Sequence, residues 1–547
     1  MQLGISKSVS KKQKESALIM RKQTKIAAVV SAAALLALGA SITSFAAAKG
    51  TWMMVDGEWY CYDKNGDAYT NTFCSSNGKE YYVGDDGQLV RSEWVEDGSD
   101  KYFVNSSGAK ITNDWRLTTP YDDDSADEEW YYFQSNGKMA TSKKITYKSK
   151  TYYFDSEGKM LTGWVTTDGT DNVDEADTFK KDNTFYCDET GARVEGAWVK
   201  DTEPGTSDDD ADADEYWYYL KKTTGKAATG KQANVNGQIY LFDSKGRMLY
   251  GWVVDTSTGS NANFEQINLD DDNHVKTSIS NYPDADVYYC GDEDDGHAKK
   301  NKWAKTWLPD DENEEVDDQE WFWFDKNGKL YRTSTTASAS NAVAYEFKDG
   351  VVKAKEKNND VKPAVKVSKK KVNSKDYWFD DQGVMLSKFY LIKDKMFYFG
   401  GSDDGSMKTG SQAIKDDAGD TYKFYFETKG DNKGAGITGT QNSKLYYYGM
   451  LIQADDYKYQ LATINDGVND HVFIVNTNGS IQHSKNTQYK EDGDALITTK
   501  SNIEFASAGT YKYEILTDEN TYELNPNLTG INLDDFVVIR KPSNYYN

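Results

Sequence analysis

Cysteine and histidine are scarce in this chain, with four of each in 547 residues. Neither Cys61, Cys74, Cys187 and Cys290 nor His274, His297, His471 and His483 fall at the spacing of a zinc site, and no ligand set for a metal is predicted. Cys61, Cys187 and Cys290 stand where an apolar residue recurs, so they read as buried thiols used as small hydrophobes; a Cys61–Cys74 disulfide is the alternative. Excess positive charge is also missing. The formal net charge is −24, which argues against a nucleic-acid partner. Zincin, nucleophile-elbow and phosphate-loop motifs are absent, as is a cysteine with a plausible histidine partner, so no catalytic residue is assigned and no cofactor is expected.

Only one long apolar run occurs, Ile26 to Leu38, preceded by the basic segment Met20 to Lys25 and followed by Ala46-Ala47-Ala48. This is the pattern of a secretory signal, and residues 1–48 are expected to be removed. The loss takes seven Lys/Arg and one Glu, leaving a mature charge of −30. No later segment predicts a membrane span or a sorting anchor, so non-covalent retention at the cell wall or cell surface is expected.

What the chain has in abundance is aromatic residues in a repeat. Trp130-Tyr131-Tyr132-Phe133 is followed by Gln134, a turn and Gly137, and the same order recurs along most of the sequence. Gly66, Gly87 and Gly108 are spaced by 21 residues, as are Gly137 and Gly158. Each unit reads as a β-hairpin: Trp164-Val165 opens a first strand, and Tyr152-Tyr153-Phe154, in the unit before, shows the second strand with its Asp155 to Gly158 turn. A lone hairpin of this size cannot bury both aromatic faces, so stacking on neighbours is obligatory. The predicted fold is all-β, an elongated solenoid of stacked hairpins of about 21 residues, with a small C-terminal β region.

The hairpin array is expected over 49–336, a Lys-rich linker or degenerate repeat over 337–376, a second array over 377–454, and the C-terminal β region over 455–547. Acidic insertions lengthen several hairpin tips, among them Tyr121 to Glu129, Asp201 to Glu215 and Asp255 to Asp286, at low entropic cost. Their runs, Asp122-Asp123-Asp124, Asp208-Asp209-Asp210 and Asp270-Asp271-Asp272, read as solvated faces; weak calcium binding is the sharper alternative.

Gly163-Trp164-Val165, Gly251-Trp252-Val253, Trp217-Tyr218-Tyr219-Leu220 and Gly246-Arg247-Met248-Leu249-Tyr250-Gly251 resemble the choline-binding, or cell-wall-binding, repeats of Gram-positive surface proteins. They are also similar to the glucan-binding repeats of glucosyltransferases and to repeats of clostridial toxins. The resemblance implies ligand sites between neighbouring hairpins, built from opening tryptophans (Trp115, Trp164, Trp198, Trp252, Trp303), triplet-leading tryptophans (Trp59, Trp130, Trp217, Trp321) and a tyrosine of an adjacent unit such as Tyr153. The leading position is instead Glu80, Lys101, Thr151, Thr184 or Val287 in other units, so complete cages are expected at only some junctions. A quaternary ammonium has no N–H to donate and is suited to several π faces, whereas rings can equally stack on sugar. The implied partner is a cell-wall polymer recognised through choline or glycan. The implied function is that of a secreted, non-enzymatic surface protein; the alternative is the targeting module of an enzyme or toxin-like protein.

Overall fold

The computed structural model describes residues 50–501, apart from 170–171, 208–209, 211, 268–276, 311–317, 335–338, 358–359, 362, 455–457, 466–469 and 483–486, together with strands Tyr513–Leu516, Thr521–Leu524 and Val537–Arg540. The predicted signal segment, Asp208, Asp209 and Asp270 to Asp272 lie outside the described residues. No α-helix occurs among the described residues, and the all-β, stacked-hairpin expectation holds.

Each early repeat is a separate two-stranded antiparallel sheet, for example Glu93–Asp97 with Asp100–Val104, or Asp114–Thr118 with Glu129–Phe133. Several tips are two-residue turns with both central residues at positive φ, as at Asn77 (51°) and Gly78 (72°). Such turns match the twist of the flanking strands. The polar residue after the triplet organises the second turn through its side chain. Asp155 Oδ1 accepts from the backbone N–H groups of Glu157 and Lys159, and Asn105 and Asp243 repeat the pattern.

Backbone contacts divide the described chain into two compact units. The first comprises the residues up to Tyr250 with Thr256–Glu265 and Cys290–His297; the second comprises Gly251–Asp255, Gln266–Tyr289 and the residues from Ala298 onward. The first contains the hairpins from Thr51–Val55/Glu58–Tyr62 to Gly230–Val235/Gln238–Phe242. In the second, hairpins Trp252–Asp255/Val287–Tyr289 and Lys302–Thr306/Glu320–Phe324 are followed by broader sheets. The Lys-rich segment contributes strands here: Ser340–Lys348 pairs with both Val365–Val372 and Phe389–Ile392. The eight strands from Tyr459–Asn465 to Val537–Arg540 form one sheet, and Phe473, Ile474 and Val475 from it join Phe424, Phe426 and Leu445 in one apolar core.

One hydrogen bond stitches hairpin to hairpin. The residue two positions after each turn glycine donates its backbone N–H to the carbonyl of the triplet-leading residue in the preceding hairpin. Leu89 donates to Trp59, Lys110 to Glu80, Met139 to Lys101, Met160 to Trp130, Met248 to Trp217 and Met385 to Trp321. The side chain of that donor then lies under the next turn glycine. A Cβ on Gly108 would meet Leu89 Cδ1 at 2.7 Å, and one on Gly158 would meet Met139 Sδ at 2.6 Å. Gly108 and Gly158 are therefore required both by positive φ and by close approach. Cys61 and Cys74, both fully buried, pack against each other and Val83 without a disulfide, and Cys187 and Cys290 are buried thiols outside any disulfide as well.

Gly108 (φ 80°) carries both constraints, whereas Gly98 (φ 70°) has nothing within 4 Å of its Cβ position. Gly108→Ala is expected to cost about 1–3 kcal/mol more than Gly98→Ala in denaturant titration, the overpacking term alone. The turn residue Asp380 gives a second expectation. Withdrawal from water pushes its carboxyl up to about 7, against the backbone N–H bonds it accepts from Val384 and Gln382. From about pH 4 to about pH 7 the folded state then holds a proton that the unfolded state has released, so this group's contribution to stability falls as pH rises. Asp380→Asn should flatten that dependence and raise stability at neutral pH by roughly 1–3 kcal/mol, since Asn476 already fills the same turn role.

Candidate functional site

Because the leading residue holds the stack through its carbonyl, its side chain is free to vary. Where it is tryptophan and the opening residue of the same hairpin is also tryptophan, a ring cage forms. Trp115 and Trp130 lie 6.3 Å apart at 85°, and Tyr152 of the following hairpin approaches Trp115 at 4.8 Å. Trp303 and Trp321 are 6.4 Å apart at 84°, with Tyr377 at 4.9 Å from Trp303. Trp198 stands 4.7 Å from Tyr240, and Trp198, Trp217, Tyr240, Met248, Asp294 and Asp295 line a small recess open to solvent. Met160, Met248 and Met385, the stitching residues, pack with these three clusters as thioether floors. A fourth arrangement pairs the Trp52/Trp59 hairpin with Tyr81, whose ring is 5.8 Å from Trp52, and Leu89 replaces the methionine.

The opening tryptophans of other hairpins sit in closed junctions. Trp164 and Trp252 are only 8 % and 2 % exposed. Trp164 donates its indole N–H to the Thr202 carbonyl and Trp252 to that of Trp307, at 3.0 and 2.8 Å. Trp94 does the same to Thr119. Their faces are filled by Tyr218, Phe322 and Tyr131 of the following hairpins, at 4.6–4.9 Å. In the hairpins that carry Trp164, Trp252 and Trp94 the leading residues are Thr184, Val287 and Lys101, so no second tryptophan completes a cage.

The cages consequently recur every third hairpin. Trp52 and Trp115 stand 63 residues apart, three times the basic period, and tip insertions lengthen the later intervals. Of the residues singled out in the sequence, the structure brings together Trp115 with Trp130, Trp198 with Trp217 and Trp303 with Trp321, and the Trp59 carbonyl accepts the Leu89 bond at the first junction. It buries Trp164 and Trp252 as described. Tyr153 is 1 % exposed and its hydroxyl accepts from Arg193, so the tyrosine beside Trp115 is its neighbour Tyr152 on the opposite strand face. Tyr81, Tyr240, Tyr377 and the methionines were not singled out; strand alternation, counted from the leading residue of the following hairpin, marks the tyrosines.

Charge gathers at the cage rims. Lys200 and Lys305 are the cross-strand partners of Trp217 and Trp321, with their ammonium groups 5.8 and 6.0 Å from those rings. Asp403 accepts from both Trp321 Nε1 and Lys305, at 3.0 and 2.8 Å, and these bonds hold its carboxyl below the usual range. In the first acidic run, Asp122 pairs with Lys101 and Asp123 accepts from Ser125. Among the described residues, no group of three His, Cys, Asp or Glu is arranged to hold a metal, and no helix is long and apolar enough to cross a membrane.

Comparison with known proteins agrees with the repeat geometry. Residues 125–155 match the choline-binding repeat family, and residues 92–110 and 370–385 match the cell wall binding repeat family. Glucosyltransferase-S of Streptococcus mutans is 30% identical over 199 residues, covering 36% of this chain and 11% of that protein. Glucosyltransferase-I of Streptococcus downei is 26% identical over 378 residues, covering 65% and 21%. The chain thus spans about a tenth to a fifth of the length of these curated relatives. Among solved structures, the modular autolysin LytC from Streptococcus pneumoniae aligns at 18% identity over 55% of this chain and 50% of that one, with a TM-score of 0.32. Choline binding protein F from the same species aligns at 16% identity over 75% and 100%, with a TM-score of 0.29. Residues 92–110, 125–155 and 370–385 thus carry the sequence pattern of choline-binding and cell wall binding repeats.

Closed and open junctions predict opposite responses to truncation. Trp164→Ala should cost about 3–5 kcal/mol in denaturant titration, because it empties a buried site and strands the Thr202 carbonyl. Trp130, which is 43 % exposed, should tolerate alanine within about 1 kcal/mol.

Proposed function

We propose that the protein is an exported, non-enzymatic surface protein whose Trp–Trp–Tyr cages hold quaternary ammonium groups of a choline-substituted wall polymer. The observation that carries this reading is the box-like ring geometry. In two cages the indole planes stand at 84–85° to each other, and in a third Trp198 and Trp217 line a small recess beside the Met248 thioether; neither arrangement is the broad flat platform that stacking on a sugar ring uses. Each ring contributes roughly 0.5–2 kcal/mol to a cation held against it. A mature surface charge of −30 favours the same class of ligand, since an anionic polymer must be approached through its cationic substituents.

The second reading is a targeting module joined to an enzyme that acts on glycans. It is supported by the matched glucosyltransferases, of which this chain corresponds to only 11% and 21%.

The test uses purified cell walls loaded with the mature chain and washed in parallel with choline, soluble wall glycan and EDTA. Release by choline alone is expected. Release by glycan alone would move the cages to sugar recognition, and release by EDTA alone would make the acidic insertions the binding element. The combined variant Trp130→Ala, Trp217→Ala and Trp321→Ala should lose at least about tenfold in wall affinity while keeping its circular dichroism. Soluble wall fragments appearing on incubation with the pure chain would overturn the non-enzymatic assignment.

A further inference from the structure

Two cages carry a carboxylate supplied by a third hairpin. Around Trp303, Trp321 and Tyr377 it is Asp403, in the turn after the Phe389–Ile392/Lys395–Tyr398 hairpin, bonded to the Trp321 indole N–H at 3.0 Å. Around Trp198, Trp217 and Tyr240, the turn ending at Gly296 brings Asp294 to the recess wall. Asp294 stands two residues before its turn glycine, as Asp403 stands two before Gly405, so the same turn position reaches the same cage element in both. Trp217 Nε1 is buried without a hydrogen-bond partner, beside the place where that carboxylate stands.

We propose that Asp294 and Asp403 are specificity residues that close these two cages and restrict the occupant to a cation. The proposal rests on the cages being ligand sites, and it adds a discriminating group that the rings lack. Aromatic faces accept an apolar neutral group of the right size nearly as well as a cation, because much of the gain is burial. A carboxylate at the rim distinguishes the two by charge alone. Lys305 tunes this at one cage: its ammonium is bonded to Asp403 at 2.8 Å in the free protein, so an incoming cation competes with an internal one. Lys200 takes the matching place at the other cage, 3.9 Å from Glu293. In the Trp115–Trp130 cage the corresponding strand residue is Leu117, which carries no charge.

Titration calorimetry on the full mature chain, with choline and its neutral carbon isostere 3,3-dimethylbutan-1-ol as paired probes, tests the assignment. In the Asp294→Asn, Asp403→Asn double variant, choline should weaken roughly fivefold at the affected sites, the size of one exposed charge interaction, with the isostere unchanged. Lys305→Gln should act in the opposite direction and tighten choline by a comparable factor at one site. Unchanged choline affinity in the double variant overturns the proposal, and so does equal weakening of both probes, which would mean the turns only shape the cages. If the unmodified chain takes up neither probe, the cages are not ammonium sites and both readings fall together; if it takes up choline and only the Asn substitutions are silent, the cage reading stands and the carboxylate role is lost.

Discussion

The interaction on which the rest depends is the backbone hydrogen bond from the residue two past a turn glycine to the leading carbonyl of the hairpin before it. A two-stranded sheet of five-residue strands is marginal alone, and this bond fixes how the next one covers it. Because it uses main-chain atoms, it places almost no demand on the side chain at the leading position. Glu80, Lys101, Thr151 and Thr184 hold the stack as well as Trp130 does. The scaffold and the recognition surface are thereby decoupled: one carbonyl builds the array, and the side chain on the same residue decides whether the junction is a cage or plain packing.

The closed junctions are the complement of the open ones. Trp164 and Trp252 have the residue type and strand position of Trp115, yet their indole N–H groups are committed to backbone carbonyls and their faces to a buried Tyr or Phe. A buried indole without such a partner would forfeit a hydrogen bond worth about 1 kcal/mol. What separates the two classes is the second tryptophan of the hairpin. In stacked repeats, a site is a property of a pair of neighbours, and a residue has no function apart from the register that chooses its companions.

The hairpins, their turns and the obligatory glycines were legible in the sequence because period, turn chemistry and positive φ are local. Trp115 with Trp130, and Trp303 with Trp321, were legible for the same reason, since each pair lies on facing strands of one hairpin. Tyr152 in place of Tyr153 was a matter of strand parity, which is fixed only once the neighbouring hairpin is docked. The weave of Ser340–Lys348 between distant strands left no local trace. Nor did the contribution of Asp403, which reaches Trp321 across 82 positions of sequence.

The three-hairpin spacing of the cages has a consequence for how such a chain can change length. A cage needs a Trp–Trp hairpin followed by one that brings a tyrosine and an apolar stitching residue, Leu89, Met160, Met248 or Met385. Deleting that second hairpin would slide the next turn into its place, and the stitching residue would become Lys110 after the first Trp–Trp hairpin or Arg193 after the next. A fixed positive charge would then stand where the thioether floor was, repelling any cation. At these two cages, loss of a single hairpin therefore removes the apolar neighbour, whereas loss of three consecutive hairpins restores it. The single hairpin is the unit of folding, and the block of three hairpins is the unit of recognition.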